Sequence, residues 1–215
     1  ALDGQGGLWV AVLQDGGAHA NLTVAQEDVK DQSPLPAITL AACLPKQGFD
    51  EVVRQVTELG VQSIVPILSD RTLLRPSAHK LQRWRRIAAE AAEQSERLLV
   101  PSIEEPTPWS AWLTQESQDY QKYICVARQT APSLAIARGL LSSSIIVVAI
   151  GPEGGWTDAE IAAAIAQASQ AVTLGKRVLR AVTPPAVPFS LIQARFEFAT
   201  IYPFIDTNSW TPLKP

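Results

Sequence analysis

Two short segments of the chain concentrate residues that can hold a ligand through its polar groups. The first, Gly151-Pro152-Glu153-Gly154-Gly155, follows the apolar run ending at Ile150 and precedes Thr157 and Glu160, which have capping-box spacing. Strand, glycine loop and capped helix together make a cradle. Its glycines let backbone N–H and C=O groups approach a ligand, and the helix start adds positive potential. The pattern is neither G-x-G-x-x-G nor G-K-[ST], so a dinucleotide fingerprint and a phosphate-transfer loop are both unsupported. A plain Gly/Pro turn joining strand to helix fits the spacing equally well. The second segment is Leu174-Gly175-Lys176-Arg177-Val178-Leu179-Arg180. Its three cations among aliphatics suit an anionic or carbonyl-bearing ligand, or a solvated turn.

A third feature is basic. Residues 71–97 hold seven cations (Arg71, Arg75, Lys80, Arg83, Arg85, Arg86 and Arg97) against Glu90, Glu93 and Glu96. That asymmetry suits a phosphate-contacting face. It also suits a salt-bridged helix exterior, with Arg86 and Glu90 at i,i+4.

Other chemistries recede. The only histidines are His19 and His79, and no C-x-x-C occurs, so a Ser-His-Asp triad, a zinc site and redox thiol chemistry find no support. Cys43 and Cys125 are read as two buried thiols in a reducing compartment, so a cytoplasmic location is expected. The chain has 215 residues, 47% hydrophobic and 18% charged, with a net charge of -3. Any nucleic-acid surface must therefore be a local patch. No apolar run exceeds six residues, as in Ile145 to Ile150, against the roughly 20 that a spanning helix needs, so no membrane association is expected. No signal peptide is visible, and no methionine occurs, even at position 1. The expectation is a processed start or an absent upstream piece.

The elements that must position these segments alternate. Leu8 to Leu13 and Ala18 to Val24 read as a hairpin around Asp15-Gly16-Gly17, and the polar, proline-ended stretch 25–36 reads as a linker. Strands are expected at 38–43, 63–68, 123–127, 144–150 and 171–174. Helices are expected at 49–59 with Gly60 ending the first, 78–97 with Ser77 as N-cap, 108–116, 133–141, 158–168 and 185–198. Such alternation predicts an α/β domain with a mostly parallel sheet and its ligand at the carboxyl ends of the strands.

In combination these motifs carry a resemblance. Gly151 to Thr157 with Glu160, then Leu174 to Arg180, resembles the ribosomal RNA small-subunit methyltransferase E family of the SPOUT superfamily. Arg83-Trp84 through Glu90-Ala91-Ala92-Glu93-Gln94-Ser95-Glu96-Arg97 to Pro101 is similar to its long-helix signature, and Thr57 to Val61 and Asp70-Arg71 match further landmarks. The resemblance covers roughly Leu2 to Phe198. It implies a SPOUT-type parallel sheet with a C-terminal trefoil knot, preceded by the end of a PUA-like β-barrel whose upstream strands are missing. It implies domains at 1–26 (partial PUA-like), 37–202 (SPOUT) and a tail at 203–215, with a linker at 27–36. It also implies methyl transfer from S-adenosylmethionine to N3 of a uridine in 16S ribosomal RNA, by a homodimer acting on that RNA or on the small ribosomal subunit.

Residue by residue, the resemblance implies a cofactor pocket from Ala127, Ile150, Gly151, Gly154, Gly155, Leu174, Gly175, Val178 and Leu179. Arg180 and Arg97 are the implied catalytic residues. Arg71, Gln94, Arg97, Arg83 and Arg86 are implied on the RNA side. Uridine N3 must lose its proton before it can attack a methyl, and the charge then on O2 and O4 suits a fixed guanidinium. No metal is needed. Glu153 is a carboxylate in the right loop, and it also suits a structural role in that turn; water or a phosphate oxygen are other proton acceptors. The sequence departs from the family where Arg-Ala-Glu-Thr-Ala is usual from Arg180 onward: Val182 replaces the carboxylate and Pro184 follows, while Thr183 remains. Two alternatives therefore stay open, a catalytically silent RNA-binding relative and a SPOUT methyltransferase acting on another RNA position.

Overall fold

A computed structural model describes residues 4–5, 7–15, 21–30, 36–73, 75–115, 120–140, 144–180 and 182–201. The expected tail at 203–215 lies outside them. Strands β1 (Gly7–Asp15) and β2 (Asn21–Lys30) pair antiparallel. The second strand runs further than expected. Val29 pairs with Leu8 and Lys30 with Gly7, and with two register shifts residues 25–30 belong to a ladder rather than a linker. Val100 N–H donates to Gly4 O at 3.0 Å, which ties the N-terminal segment to the rest of the chain.

From Ala37 onward the chain builds one parallel sheet. Its strands are β3 (Ala37–Cys43), β4 (Ser63–Leu68), β5 (Ser102–Ile103), β6 (Thr107–Pro108), β7 (Gln121–Cys125), β8 (Ile145–Ile150) and β9 (Gln170–Val172). The spatial order is β5-β4-β3-β8-β7-β9, with β6 also on β4. The long strands read as apolar runs because both faces are covered. Helices α1 (Phe49–Glu58), α2 (Ala78–Gln94) and α5 (Thr183–Ile201) pack on one face through Val52, Val56, Leu81, Trp84, Phe189 and Ile192. Helices α3 (Trp109–Gln115) and α4 (Asp158–Ala166) cover the other through Trp109, Trp112, Ile161 and Ala164. The sheet edge beside β4 is split into β5 and β6, and Pro66, which has no N–H to give, sits in the gap between them.

Most expected elements form, with instructive shifts. The second helix stops at Gln94 rather than Arg97. Glu96 adopts φ 56°, and Arg97 N–H folds back to Ala92 O at 2.9 Å. The helix expected at 133–141 is reduced to a single 3-10 turn, Leu134–Ile136. Its backbone is committed elsewhere: Leu134 N–H donates to Thr173 O and Thr173 N–H to Pro132 O, at 3.0 and 2.8 Å. The strand expected at 123–127 begins and ends two residues earlier, and α5 begins at Thr183 rather than Pro185. Cys43 and Cys125 are unpaired, on strands separated by β8. Burial pushes both thiols up, Cys43 to about 12. Among the described residues no helix is long and apolar enough to cross a membrane.

The N-terminus of α4 is fixed by Glu160, only 6% exposed. Thr157 caps the helix by accepting from Glu160 N–H, and the Glu160 carboxylate accepts from Thr157 N–H at 2.7 Å, which completes the capping box. Its other oxygen accepts from Asp70 N–H at 2.9 Å, in the loop after β4. Glu160→Ala is expected to strand both donors and lower stability by about 2 kcal/mol. The melting temperature should fall by roughly 4–8 °C. Glu160→Gln should lose less, and thermal unfolding followed by circular dichroism checks both.

Candidate functional site

The sheet order reverses direction between β3 and β8: β4 lies on one side of that pair and β7 on the other. Ligands of open parallel sheets sit beyond the carboxyl ends of the strands at such a place. Among the described residues, the ends of β3, β4, β7, β8 and β9 lead into 44–48, 69–73 with 75–77, 126–133, 151–157 and 173–180. Both glycine-bearing segments singled out in the sequence lie among them, after β8 and β9 on either side of β7.

Three side chains hold these loops together without secondary structure. Lys46 N–H donates to Glu153 Oε1 at 2.9 Å, joining the loop after β3 to the glycine loop after β8. Arg71 Nη1 donates to Gly154 O at 2.6 Å, joining the loop after β4 to the same segment. Glu160 adds its bond to Asp70. Glu153 is thus a structural acceptor in the turn.

Trp156 pegs the glycine loop from below. It is 8% exposed, packs on Trp109 with ring centroids 4.5 Å apart, and donates from Nε1 to Cys125 O at 3.2 Å. A Cβ at Gly151 would lie 3.0 Å from Trp156 Nε1, so the backbone runs directly over the indole. On the loop's other side the space is open. Gly155 and Gly175 adopt φ 70° and 122°, and a Cβ at either would have no atom within 4 Å. Left-handed glycine backbone with free space beside it, on the loops after β8 and β9, suits a group bound through main-chain N–H and C=O groups. The residues present therefore fit a cofactor held in that way.

The structure places the expected pocket residues as follows. Ile150 is buried at the end of β8, and Gly151 and Gly155 are half-buried. Ala127, Gly154, Gly175 and Val178 are exposed, and Leu174 and Leu179 half-buried. All of them lie at the carboxyl ends of β7, β8 and β9. Arg180 is exposed in the last loop, two residues before Val182. Val182 packs closely on the loop after β3, where a Cβ on Gly48 would lie 2.7 Å from its Cγ2. The departure from the family pattern at this position is thus a packing contact, and Pro184 and Pro185 fall in the first turn of α5, where no N–H is needed.

Arg97 is engaged differently from its expected catalytic role. Its Nη1 donates to Thr57 O at 2.7 Å and its Nη2 to Val61 O at 2.8 Å, closing the end of α1. Those carbonyls precede β4, so Arg97 lies at the amino end of the sheet, as does Gln94 at the end of α2. Within one chain neither is brought to Arg180. Arg83 is paired with Asp50 at 2.7 Å, and Arg86 with Glu90 at 3.5 Å on the exposed face of α2. Sequence reasoning assigned no role to Trp156 or Lys46. The tryptophan directly after the glycine pair was the available signal for the first; Lys46 gave none, since its part is played by a backbone N–H.

Comparison with known proteins follows the same outline. A family model described as an RNA methyltransferase domain matches residues 31–193. The ribosomal RNA small subunit methyltransferase E of Synechocystis is 46% identical over 200 residues, covering 91% of this chain. The chain spans 65% of that relative's length. The protein of the same name from Mesomycoplasma hyopneumoniae is 34% identical, and the chain spans 73% of it. A crystal structure of the Neisseria gonorrhoeae ribosomal RNA small subunit methyltransferase E bound to S-adenosyl methionine superposes with a TM-score of 0.79 at 34% identity. It covers 93% of this chain and 81% of that one.

Trp156→Ala should open a cavity under the glycine loop and destabilise the protein by about 3 kcal/mol. Trp156→Phe keeps the ring over Gly151 and should cost about 1 kcal/mol for the lost bond to Cys125 O. Chemical denaturation of the two variants separates packing from hydrogen bonding at the peg.

Proposed function

This chain belongs to the ribosomal RNA small subunit methyltransferase E family, and on that premise we propose that it methylates N3 of a uridine in 16S ribosomal RNA. S-adenosylmethionine, when bound, supplies an activated methyl group on a sulfonium. The observation that carries the reading is the pair of left-handed glycines, Gly155 and Gly175, with open space beside them on the loops after β8 and β9, the strands that flank β7. Backbone groups of Ile150, Gly151, Gly154 and Gly155 read the nucleoside part of the cofactor. Leu174, Gly175, Val178 and Leu179 close over it, with Ala127 at the end of β7. The exposed aliphatic Val178 suits a loop that buries its apolar surface on a ligand.

Arg180 is the catalytic residue of this reading. Its guanidinium stabilises charge on O2 and O4 of the deprotonated uridine, while positioning of N3 against the methyl supplies much of the remaining rate. The bond from Lys46 N–H to Glu153 Oε1 supports a structural role for Glu153 in the turn, with water or a phosphate oxygen taking the N3 proton. Of the cations expected on the RNA side, Arg71 keeps its charge because its partner is the neutral Gly154 O, whereas Arg83 and Arg86 are paired with Asp50 and Glu90.

The knot and the dimer belong to the same reading. The segment after β9 is held against residues 132–134, and α5 then returns to the sheet centre, packing on α1, β3, β8 and the 3-10 turn. Gln193 Nε2 donates to Leu59 O at 2.7 Å and Arg195 donates to Ala135 O, which fastens α5 on both sides. That path supports a trefoil-knotted chain. Between α1 and α5 lies a groove of about 470 Å³ lined by Leu59, Val182, Ala186, Val187 and Leu191. It supports a homodimer formed across this face. The hairpin β1–β2 is read as the end of a PUA-like RNA-binding barrel, expected at residues 1–26 and extended by β2 to Lys30, followed by residues 37–202 as the SPOUT domain.

Incubation with methyl-labelled S-adenosylmethionine and small-subunit ribosomal RNA, followed by nucleoside mass spectrometry, should yield N3-methyluridine. A ribose-methylated or other nucleoside would contradict the assignment. Arg180→Ala should lower turnover by about 100-fold or more while keeping the fold and cofactor binding. Near-normal turnover would remove Arg180 from the site.

A further inference from the structure

Several basic residues outside the cofactor cradle converge on a second depression. A cavity of about 480 Å³ opens between the loop after β3 and the first turns of α2. Its rim carries Lys46, His79, Lys80 and Arg83. The residues contributed by α2 recur at His79, Lys80 and Arg83, spacings that place them on one helix face. The floor is Phe49 and Trp84, 5% and 3% exposed, with ring centroids 4.6 Å apart at 63°. These rings are buried against each other and offer no free face on which a base could stack.

The charge balance is one-sided. Asp50 is the only carboxylate in the lining, and it is already committed. Arg83 Nε donates to its Oδ2 at 2.8 Å, and Trp84 Nε1 donates to its Oδ1 at 2.9 Å. Glu153, on the neighbouring loop, is held by Lys46 N–H. Among the described residues the ammonium groups of Lys46 and Lys80 have no ion-pair partner. A concave surface with excess positive charge, an apolar floor and no stacking platform recognises a phosphodiester rather than a base.

The depression adjoins the candidate site. Its Lys46 is bonded to the glycine loop, and its Gly48 is in contact with Val182 of the last loop. We infer that this pocket holds a backbone phosphate of the RNA strand that presents the target nucleotide. Lys46 and Lys80 make the contacts, and Arg83 forms a wall whose position is fixed by Asp50. This subsite rests on the methyltransferase reading and adds a position along the RNA to it.

The test is the affinity of the full chain for a small-subunit ribosomal RNA fragment, measured across salt concentrations. The unsubstituted protein is compared with Lys46→Ala, Lys80→Ala, the double alanine variant and the double Lys→Arg variant. S-adenosylmethionine affinity is measured in parallel. The double alanine variant should bind RNA about tenfold more weakly, with a log–log salt slope shallower by about 1–2. The arginine pair should restore both, and cofactor affinity should stay unchanged throughout. An unaltered slope in the alanine variants overturns the subsite and leaves the methyltransferase reading standing. Loss of cofactor binding alongside RNA binding also overturns it, since the lysines would then serve the cradle. An unsubstituted protein that binds the cofactor but no RNA overturns the subsite together with its premise.

Discussion

Loops that leave the carboxyl edge of a parallel sheet carry backbone donors and acceptors that no ladder satisfies. In this protein three side chains meet that constraint, and the candidate site exists because they do. Glu160 takes N–H groups from Thr157 and Asp70, Glu153 takes Lys46 N–H, and Arg71 gives to Gly154 O. The bonds to Asp70, Lys46 and Gly154 each cross between segments distant in sequence. Together they fix the glycine loop from both flanks while Trp156 supports it from below. Beside Gly155 the loop stays open. That combination lets glycine main chain act as a binding surface, since a mobile loop would surrender the same contacts to ordering entropy.

Much of this was legible in the residues. The alternation of apolar runs with helical stripes predicted the parallel sheet, and Thr157 with Glu160 predicted the capped start of α4. Ser77 was readable as the cap of α2, which it serves by accepting from Lys80 N–H. What failed to show were properties decided by distant partners. The single turn at Leu134–Ile136 carries helix-forming residues, yet its backbone bonds to Thr173 instead. The polar residues 25–30 join a strand because β1 supplies a partner. The order of strands, with β8 inserted between β3 and β7, has no local signature at all.

The site shows the same division. Glycine positions and their neighbours were identifiable because backbone approach demands a residue type. The arginines were not, because a guanidinium serves equally as ligand contact, ion pair or cap. Arg97 spends both its terminal nitrogens on Thr57 O and Val61 O, Arg83 on Asp50, and Arg71 spends one on Gly154 O. A basic cluster that looked uniform in sequence is thus partitioned into structural cations and a smaller set with free charge. Val182 illustrates the converse. A carboxylate expected from the family pattern is replaced by an aliphatic contact with Gly48, and the last loop stays docked by packing rather than by charge.

Calorimetric titration with S-adenosylmethionine decides whether the open glycine edge is a cofactor cradle. The account predicts saturable binding at about one site per chain or one per two chains. A folded sample that takes up no cofactor would contradict it, and would turn the same loops into a scaffold for RNA binding without methyl transfer.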